Sequence, residues 1–212
     1  MLKIKSFVFS PIQENTYLLY NEVHHCIIID PGCYFPEEKD ELKAFITQSG
    51  LRPKMLLNTH CHLDHVFGDK FVADTYELTP QIHEKEKAML ELAPASGLLY
   101  DLPFDHYTGD LQFIKDGDKL VLDGDELEII FVPGHSPGHI CFYSAKQGFI
   151  IGGDVLFNRS IGRTDLPMGD HQTLLSSIRN KLFVLPDETL VYSGHGPVTT
   201  IGEEKRENPF FN

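Results

Sequence analysis

Residues 59–65 read Thr-His-Cys-His-Leu-Asp-His, and this stretch organises the reading of the whole chain. Three histidines and one aspartate fall within six residues. Burying that density without a cation is costly, because each imidazole needs a polar partner and a lone carboxylate needs a positive charge. A set of solvated loop histidines is the bland alternative, and metal binding is the commoner reason for such clustering. On an extended segment the side chains alternate, so His60 and His62 share one side while Cys61 faces the other and reads as a packing residue. Asp64 and His65 follow in a turn, where they can address a second centre. Upstream, residues 55–58 form a short apolar run that reads as a buried strand leading into the cluster.

Three later motifs repeat one local context, a strand end followed by glycine. They are Pro133-Gly134-His135-Ser136-Pro137-Gly138-His139, Gly152-Gly153-Asp154 and Ser193-Gly194-His195-Gly196-Pro197. Glycine permits the close approach and tight turn that aim a short side chain inward. Any one of these motifs alone is a common turn. Together, and in this order after His60-x-His62-x-Asp64-His65, they form a specific pattern.

Around these motifs the chain alternates strands and helices. Residues 6–9, 16–20 and 26–30 read as strands rich in β-branched and aromatic residues, and Pro31-Gly32 closes the third in a turn. Residues 37–49 carry Leu42, Phe45 and Ile46 at helical spacing, with Gly50 as the stop. Residues 68–99 read as mainly helical and 101–110 as a turn-rich link. Strands follow at 120–122, 126–132, 140–144 and 149–152. Asp170 then reads as the N-cap of a helix to residue 183, and 190–192 as a last strand. Strands, helix, strands, helix is a duplicated pattern that suggests a sheet-on-sheet core with helices outside. No repeat or linker interrupts it, so residues 1–212 read as a single domain.

Composition narrows the partners. Hydrophobic residues make up 42% of the 212 and charged residues 23%, values that support a full core. The formal net charge is −13, with 18 Lys and Arg scattered among 31 Asp and Glu, which argues against nucleic acid or an anionic membrane as partner. The opening residues are too quickly polar for a signal peptide, and no apolar run reaches bilayer-spanning length. The four cysteines form no Cys-x-x-Cys pair, and a reducing cytoplasm is the expected location.

These motifs, with the segments SIGRTDLPMGD and TTIGEEKRENPF, make the chain resemble the metallo-β-lactamase superfamily over nearly its full length. Within that superfamily it is similar to single-domain glyoxalase II-like hydrolases, also called hydroxyacylglutathione hydrolases. The resemblance implies an α/β (α+β) fold, the αββα sandwich, with a binuclear site at one edge. By motif position, His60, His62 and His135 would hold one metal and Asp64, His65 and His195 the other, with Asp154 bridging. Asp64 and Asp154 would be the catalytic carboxylates, and His139 would support the ligands without joining them. Two divalent metal ions are implied, zinc first, with iron or manganese also compatible with imidazole and carboxylate ligands. A bridging hydroxide would attack a carbonyl, so no Ser or Cys nucleophile is required and Ser136 reads as a turn residue. His24, His25, His83, His106 and His171 lack matching spacing and read as surface or helix positions.

The resemblance further implies a small-molecule thioester or ester substrate, of the S-2-hydroxyacylglutathione type. Arg163, with Arg159 nearby, stands where such enzymes carry a basic residue for glutathione, while an internal pair to Asp165 or Asp170 is the competing role. Two departures point to a more open pocket: Gly196-Pro197 follows the last histidine, and the chain ends at Asn212 without a helical extension. The rival from another class is a mononuclear iron persulfide dioxygenase, which also carries Gly-Arg-Thr-Asp. The complete second ligand set and Gly196-Pro197 favour the hydrolase. A nuclease of the same fold would need basic segments that this chain lacks.

Overall fold

A computed structural model describes residues 1–212. Its first sheet contains β1 (Lys3–Phe9), β2 (Glu14–Tyr20), β3 (His25–Ile29), β4 (Arg52–Leu57), β5 (Pro80–Ile82) and β6 (Gln112–Phe113), in that spatial order. β1 to β3 form an antiparallel meander, and β3 to β6 run parallel. The parallel pairs need crossovers. α1 (Pro36–Gln48) links β3 to β4, and α2 (Leu63–Val66) with α3 (Asp69–Tyr76) links β4 to β5. A 3₁₀ turn at Glu84–Glu86 and α4 (Lys87–Leu99) lead to β6.

The second sheet contains β7 (Lys119–Leu122), β8 (Asp125–Phe131), β9 (Ile140–Ser144), β10 (Phe149–Gly153), β13 (Leu190–Ser193) and β14 (Thr199–Thr200). A small hairpin of β11 (Leu156–Phe157) and β12 (Ser160–Ile161) follows β10. α5 (His171–Ser177), continued as a π-helical turn at Ile178–Leu182, leads into β13, and α6 (Ile201–Glu207) closes the chain.

The apolar residues show why the sheets stack. Tyr17, Leu19, Ile27, Ile29 and Leu57 turn one face of the first sheet toward Leu127, Ile129, Phe142 and Ile151 of the second. The alternate residues Leu18, Cys26, Ile28 and Leu56 face the other way, under Leu42 and Ile46 of α1 and Val72 of α3. Ile130, Cys141, Ile150 and Val191 lie likewise under Leu174 of α5, Ile178 and Ile201 of α6. Both faces of each sheet are covered, so the central strands read as continuous apolar runs rather than alternating ones. This is the αββα sandwich expected from the sequence. No helix is long and apolar enough to cross a membrane.

Two expectations need correction. The stretch 68–99 is not mainly helical throughout, because β5 interrupts it as a three-residue strand paired to β4. The end of the chain carries an unexpected helix, α6, capped by the Thr200 hydroxyl accepting from the Glu203 N–H at 3.1 Å. Asp170 caps α5 as expected, its carboxylate accepting from the Thr173 N–H at 2.6 Å.

Candidate metal centre

All seven residues singled out in the sequence converge on one edge of the sandwich, each from a segment that follows a strand. His60 follows β4, and His62 is the N-cap of α2, which carries Asp64 and His65. His135 follows β8, Asp154 follows β10 and His195 follows β13. Loops fixed at strand ends on a packed scaffold are where short side chains can be held to a common point. Gly194 is required by that convergence: a Cβ there would collide with Asp154 Oδ1 and lie 2.7 Å from His65 Cε1.

The imidazoles are oriented by partners on their outer edges. His60 Nδ1 lies 3.0 Å from Thr59 Oγ1, whose own hydroxyl donates to Asp30 Oδ2 at 2.7 Å, so Thr59 can only accept from His60. His65 Nδ1 faces Asp30 Oδ2 at 3.0 Å, His135 Nδ1 the Arg163 carbonyl at 2.7 Å, and His195 Nδ1 the Gln13 carbonyl at 3.0 Å. Each acceptor holds a proton on Nδ1 and turns Nε2 inward, the arrangement expected of a ligating histidine. His62 is the exception and turns Nδ1 inward, 2.7 Å from His135 Nε2.

Three groups of potential ligand atoms lie close together: His60, His62 and His135; Asp64, His65 and His195; and Asp30 with His60 and His65, where Asp30 faces the outer Nδ1 edge of His65. Asp154 stands between the first two, with Oδ1 3.4 Å from His65 Nε2 and Oδ2 3.6 Å from His135 Nε2 and 3.5 Å from His195 Nε2. Asp64 Oδ2 lies 3.2 Å from His195 Nε2.

This donor set fits divalent metal. His60 Nε2 and His135 Nε2 lie 3.2 Å apart with both protons committed elsewhere, so two lone pairs face each other. His65 Nε2 and Asp154 Oδ1 are buried without a hydrogen-bond partner. Facing lone pairs and unsatisfied buried acceptors are unfavourable unless a cation is shared among them.

The electrostatics follow from burial and proximity. Burial, followed by repulsion from His135, holds the His62 imidazole down at about 3. Burial and the surrounding imidazoles push His60 well below its usual value. Burial would also lower His65, but Asp154, Asp64 and Asp30 outweigh it and raise the group well above the normal range. Burial would raise Asp154, and His65 and His195 reverse it to well below the carboxylate range. One group of three rings is therefore neutral and electron-donating, and the other is paired with carboxylates.

Two buried carboxylates that the sequence does not single out, Asp30 and Glu86, hold the candidate ligands in place, together with Ser136 and His139. Asp30 Oδ1 accepts from the Thr59 N–H at 2.7 Å, so its two oxygens take three hydrogen bonds from Thr59 and His65. Glu86, in the 3₁₀ turn, accepts from the Cys61 N–H at 2.8 Å, the Gly138 N–H at 2.6 Å and the Ser136 hydroxyl. One carboxylate thus clips the loop of His60 and His62 to the loop of His135, and Ser136 is part of that clip. Burial raises Glu86, with the three hydrogen bonds opposing. His139 is fully buried and accepts the Asp154 N–H on Nε2 at 3.1 Å, and its ring stacks on His60 with centroids 4.8 Å apart. Cys61 packs with Leu63, Met89 and Ala93, away from the ligand atoms.

The centre forms the floor of an open cleft of about 530 Å³, with Tyr100, Phe157, Arg163 and Leu166 among its walls. Arg163 makes a two-pronged pair with Asp165, Nε and Nη2 each donating at 2.7 Å. Arg159 is not among the cleft walls, and its Nη2 lies 3.9 Å from Glu203 of α6.

The model of the metallo-beta-lactamase superfamily matches residues 10–195. The hydroxyacylglutathione hydrolase GloC of Haemophilus influenzae is 40% identical, over 100% of this chain and 99% of its own length. The probable metallo-hydrolase YqgX of Bacillus subtilis is 38% identical, over 100% and 98%. Among solved structures, the BLEG-1 B3 metallo-beta-lactamase superposes with a TM-score of 0.91 at 38% identity, covering 99% of this chain and 100% of that one. A di-iron-bound form of TTHA1623 gives 0.88 at 35%, covering 97% and 99%. ETHE1 from Myxococcus xanthus gives 0.79 at 26%, covering 98% and 83%.

Proposed function

Because the chain belongs to the metallo-β-lactamase superfamily of metal-dependent hydrolases, we propose that it is a binuclear thioesterase acting on substrates of the S-2-hydroxyacylglutathione type. The observation that carries this reading is the pair of converging groups of candidate ligands with Asp154 between them, its Oδ1 toward His65 and its Oδ2 toward His135. His60, His62 and His135 would hold one ion and Asp64, His65 and His195 the other, with Asp154 placed between the two groups. Zinc is the first choice, and the di-iron form of a 35% identical structure keeps iron in play. When bound, such ions supply Lewis acidity and lower the pKa of water toward neutrality. Asp64 and Asp154, both facing the cleft, act as the catalytic carboxylates by accepting hydrogen bonds from the attacking water and orienting it. The reading of residues 1–212 as one domain is supported by an inter-sheet core drawn from both halves of the chain.

Arg163 is the substrate-binding residue in this account. Its pair with Asp165 uses Nε and one edge of Nη2, and a guanidinium has five N–H donors. The remaining edge is available to a substrate carboxylate, so Asp165 orients Arg163 rather than competing for it. The GloC relative, whose name gives it hydroxyacylglutathione as substrate, supports the thiol assignment.

The test sets S-lactoylglutathione hydrolysis beside oxygen uptake with glutathione persulfide, on one metal-loaded preparation. Thioester cleavage without oxygen uptake is expected. Oxygen uptake without thioester cleavage would replace the hydrolase with the persulfide dioxygenase.

A further inference from the structure

A second cavity of about 230 Å³ opens beside the metal cleft and shares His62, Leu63, Tyr100 and Leu166 with it. Its own walls come from α4 and the loop after β12: Met89, Leu92, Ala95, Leu99 and Pro167, with Ser96 as one polar member. None of the residues lining only this recess carries a charge. Its rim is unusually apolar for a surface, with Leu92 46%, Leu99 80% and Tyr100 49% exposed. Large side chains left in water around a concavity mark a binding surface rather than a core.

We infer that this recess is an acyl-chain subsite, and that among thioesters the enzyme prefers those whose acyl group continues beyond C2 as a straight apolar chain. The inference rests on the thioesterase reading and narrows its substrate class. His62 lines both cavities, so a carbonyl held over the metal ligands has one substituent directed past His62 into the recess. The other substituent lies along the cleft toward Arg163, the one Lys or Arg among the cleft walls. A charged thiol such as glutathione belongs on the Arg163 side, because an apolar recess would strip water from its carboxylates without repayment in hydrogen bonds. The acyl group is left for the recess. Its volume corresponds to about eight water-sized units, room for a chain of roughly six to eight carbons.

The test measures kcat/KM for straight-chain thioesters from acetyl to decanoyl on two thiols, glutathione and the uncharged N-acetylcysteamine. The expected result is a rise of about two- to fourfold per methylene on both thiols, levelling near about eight carbons. Leu92→Glu, which sets a charge on the rim, and Ala95→Phe, which occupies space there, should flatten that rise without lowering the melting temperature. Both positions are exposed, so the fold tolerates the changes. A flat series on both thiols, with acetyl thioesters still cleaved, would overturn the subsite and leave the thioesterase standing. If no thioester is cleaved, the thioesterase reading fails, and calorimetric titration of acetate through octanoate decides the recess separately. Affinity that climbs with chain length and is lost in Leu92→Glu supports the recess as an apolar-chain site; affinity independent of length overturns it.

Discussion

Asp30→Asn tests the link between the ligands and the residues that orient them. Asp30 is 1% exposed and takes hydrogen bonds from the Thr59 N–H, the Thr59 hydroxyl and His65 Nδ1. Its φ is 49°, a left-handed conformation that asparagine tolerates, so the substitution adds little backbone strain. The asparagine oxygen can keep the Thr59 N–H. Its amide then faces His65 Nδ1 as a donor and drives the ring proton to Nε2, the edge turned toward Asp64 and Asp154. Losing a hydrogen bond to a charged group costs about 1.5–3 kcal/mol, or about a ten- to hundredfold loss of affinity. That loss is expected for the metal that Asp64, His65 and His195 would hold. The site of His60, His62 and His135 feels Asp30 only through Thr59 and should weaken by less. Competition between the protein and a chromophoric chelator for cobalt or zinc resolves the two affinities. Two sites of unaltered affinity would refute the proposed coupling, as would equal weakening of both.

Asp154→Ala should lower metal content at both sites and abolish hydrolysis, as elemental analysis and a thioester assay would show. His139→Ala removes the acceptor for the Asp154 N–H and should cost about 10- to 100-fold in metal affinity or activity; total loss matching Asp154→Ala would mean that His139 is itself a ligand. Glu86→Ala orphans three buried donors, a cost of about 3 kcal/mol if their penalties only partly add. That amounts to a drop of about 6–12 °C in melting temperature, and an unchanged melt would remove the clip from the account. Arg163→Ala should raise KM for glutathione thioesters about ten- to a hundredfold with kcat nearly intact and leave uncharged thioesters unaffected. A uniform loss on every substrate, with a lower melting temperature, would show that the Asp165 pair only braces the loop.

The convergence of the seven candidate ligands was legible because these residues come in short motifs whose spacing alone is unusual. His60-x-His62-x-Asp64-His65 and the glycine-flanked His135, Asp154 and His195 need no knowledge of the distant chain. Their supports are different. Asp30 reads as the last residue of a strand before a Pro-Gly turn, and nothing local announces that Thr59 and His65 will close on it. Glu86 sits among Glu84, Lys85 and Lys87, where a charge run signals a solvated face, yet it is fully buried. Such buried acids become visible only when loops 25 to 50 residues apart are brought together. The strand β5 was hidden by its length, since Pro80-Gln81-Ile82 offers no period to read. α6 did carry a local signal, Thr200 followed three residues later by Glu203, the start of a capping box.

The number of metal ions per chain tests the central claim most directly. Protein purified without chelators and then saturated with zinc or iron should hold close to two ions by elemental analysis, because Asp154 stands between two groups of candidate ligands. A single tightly bound iron after full supplementation would contradict the binuclear account.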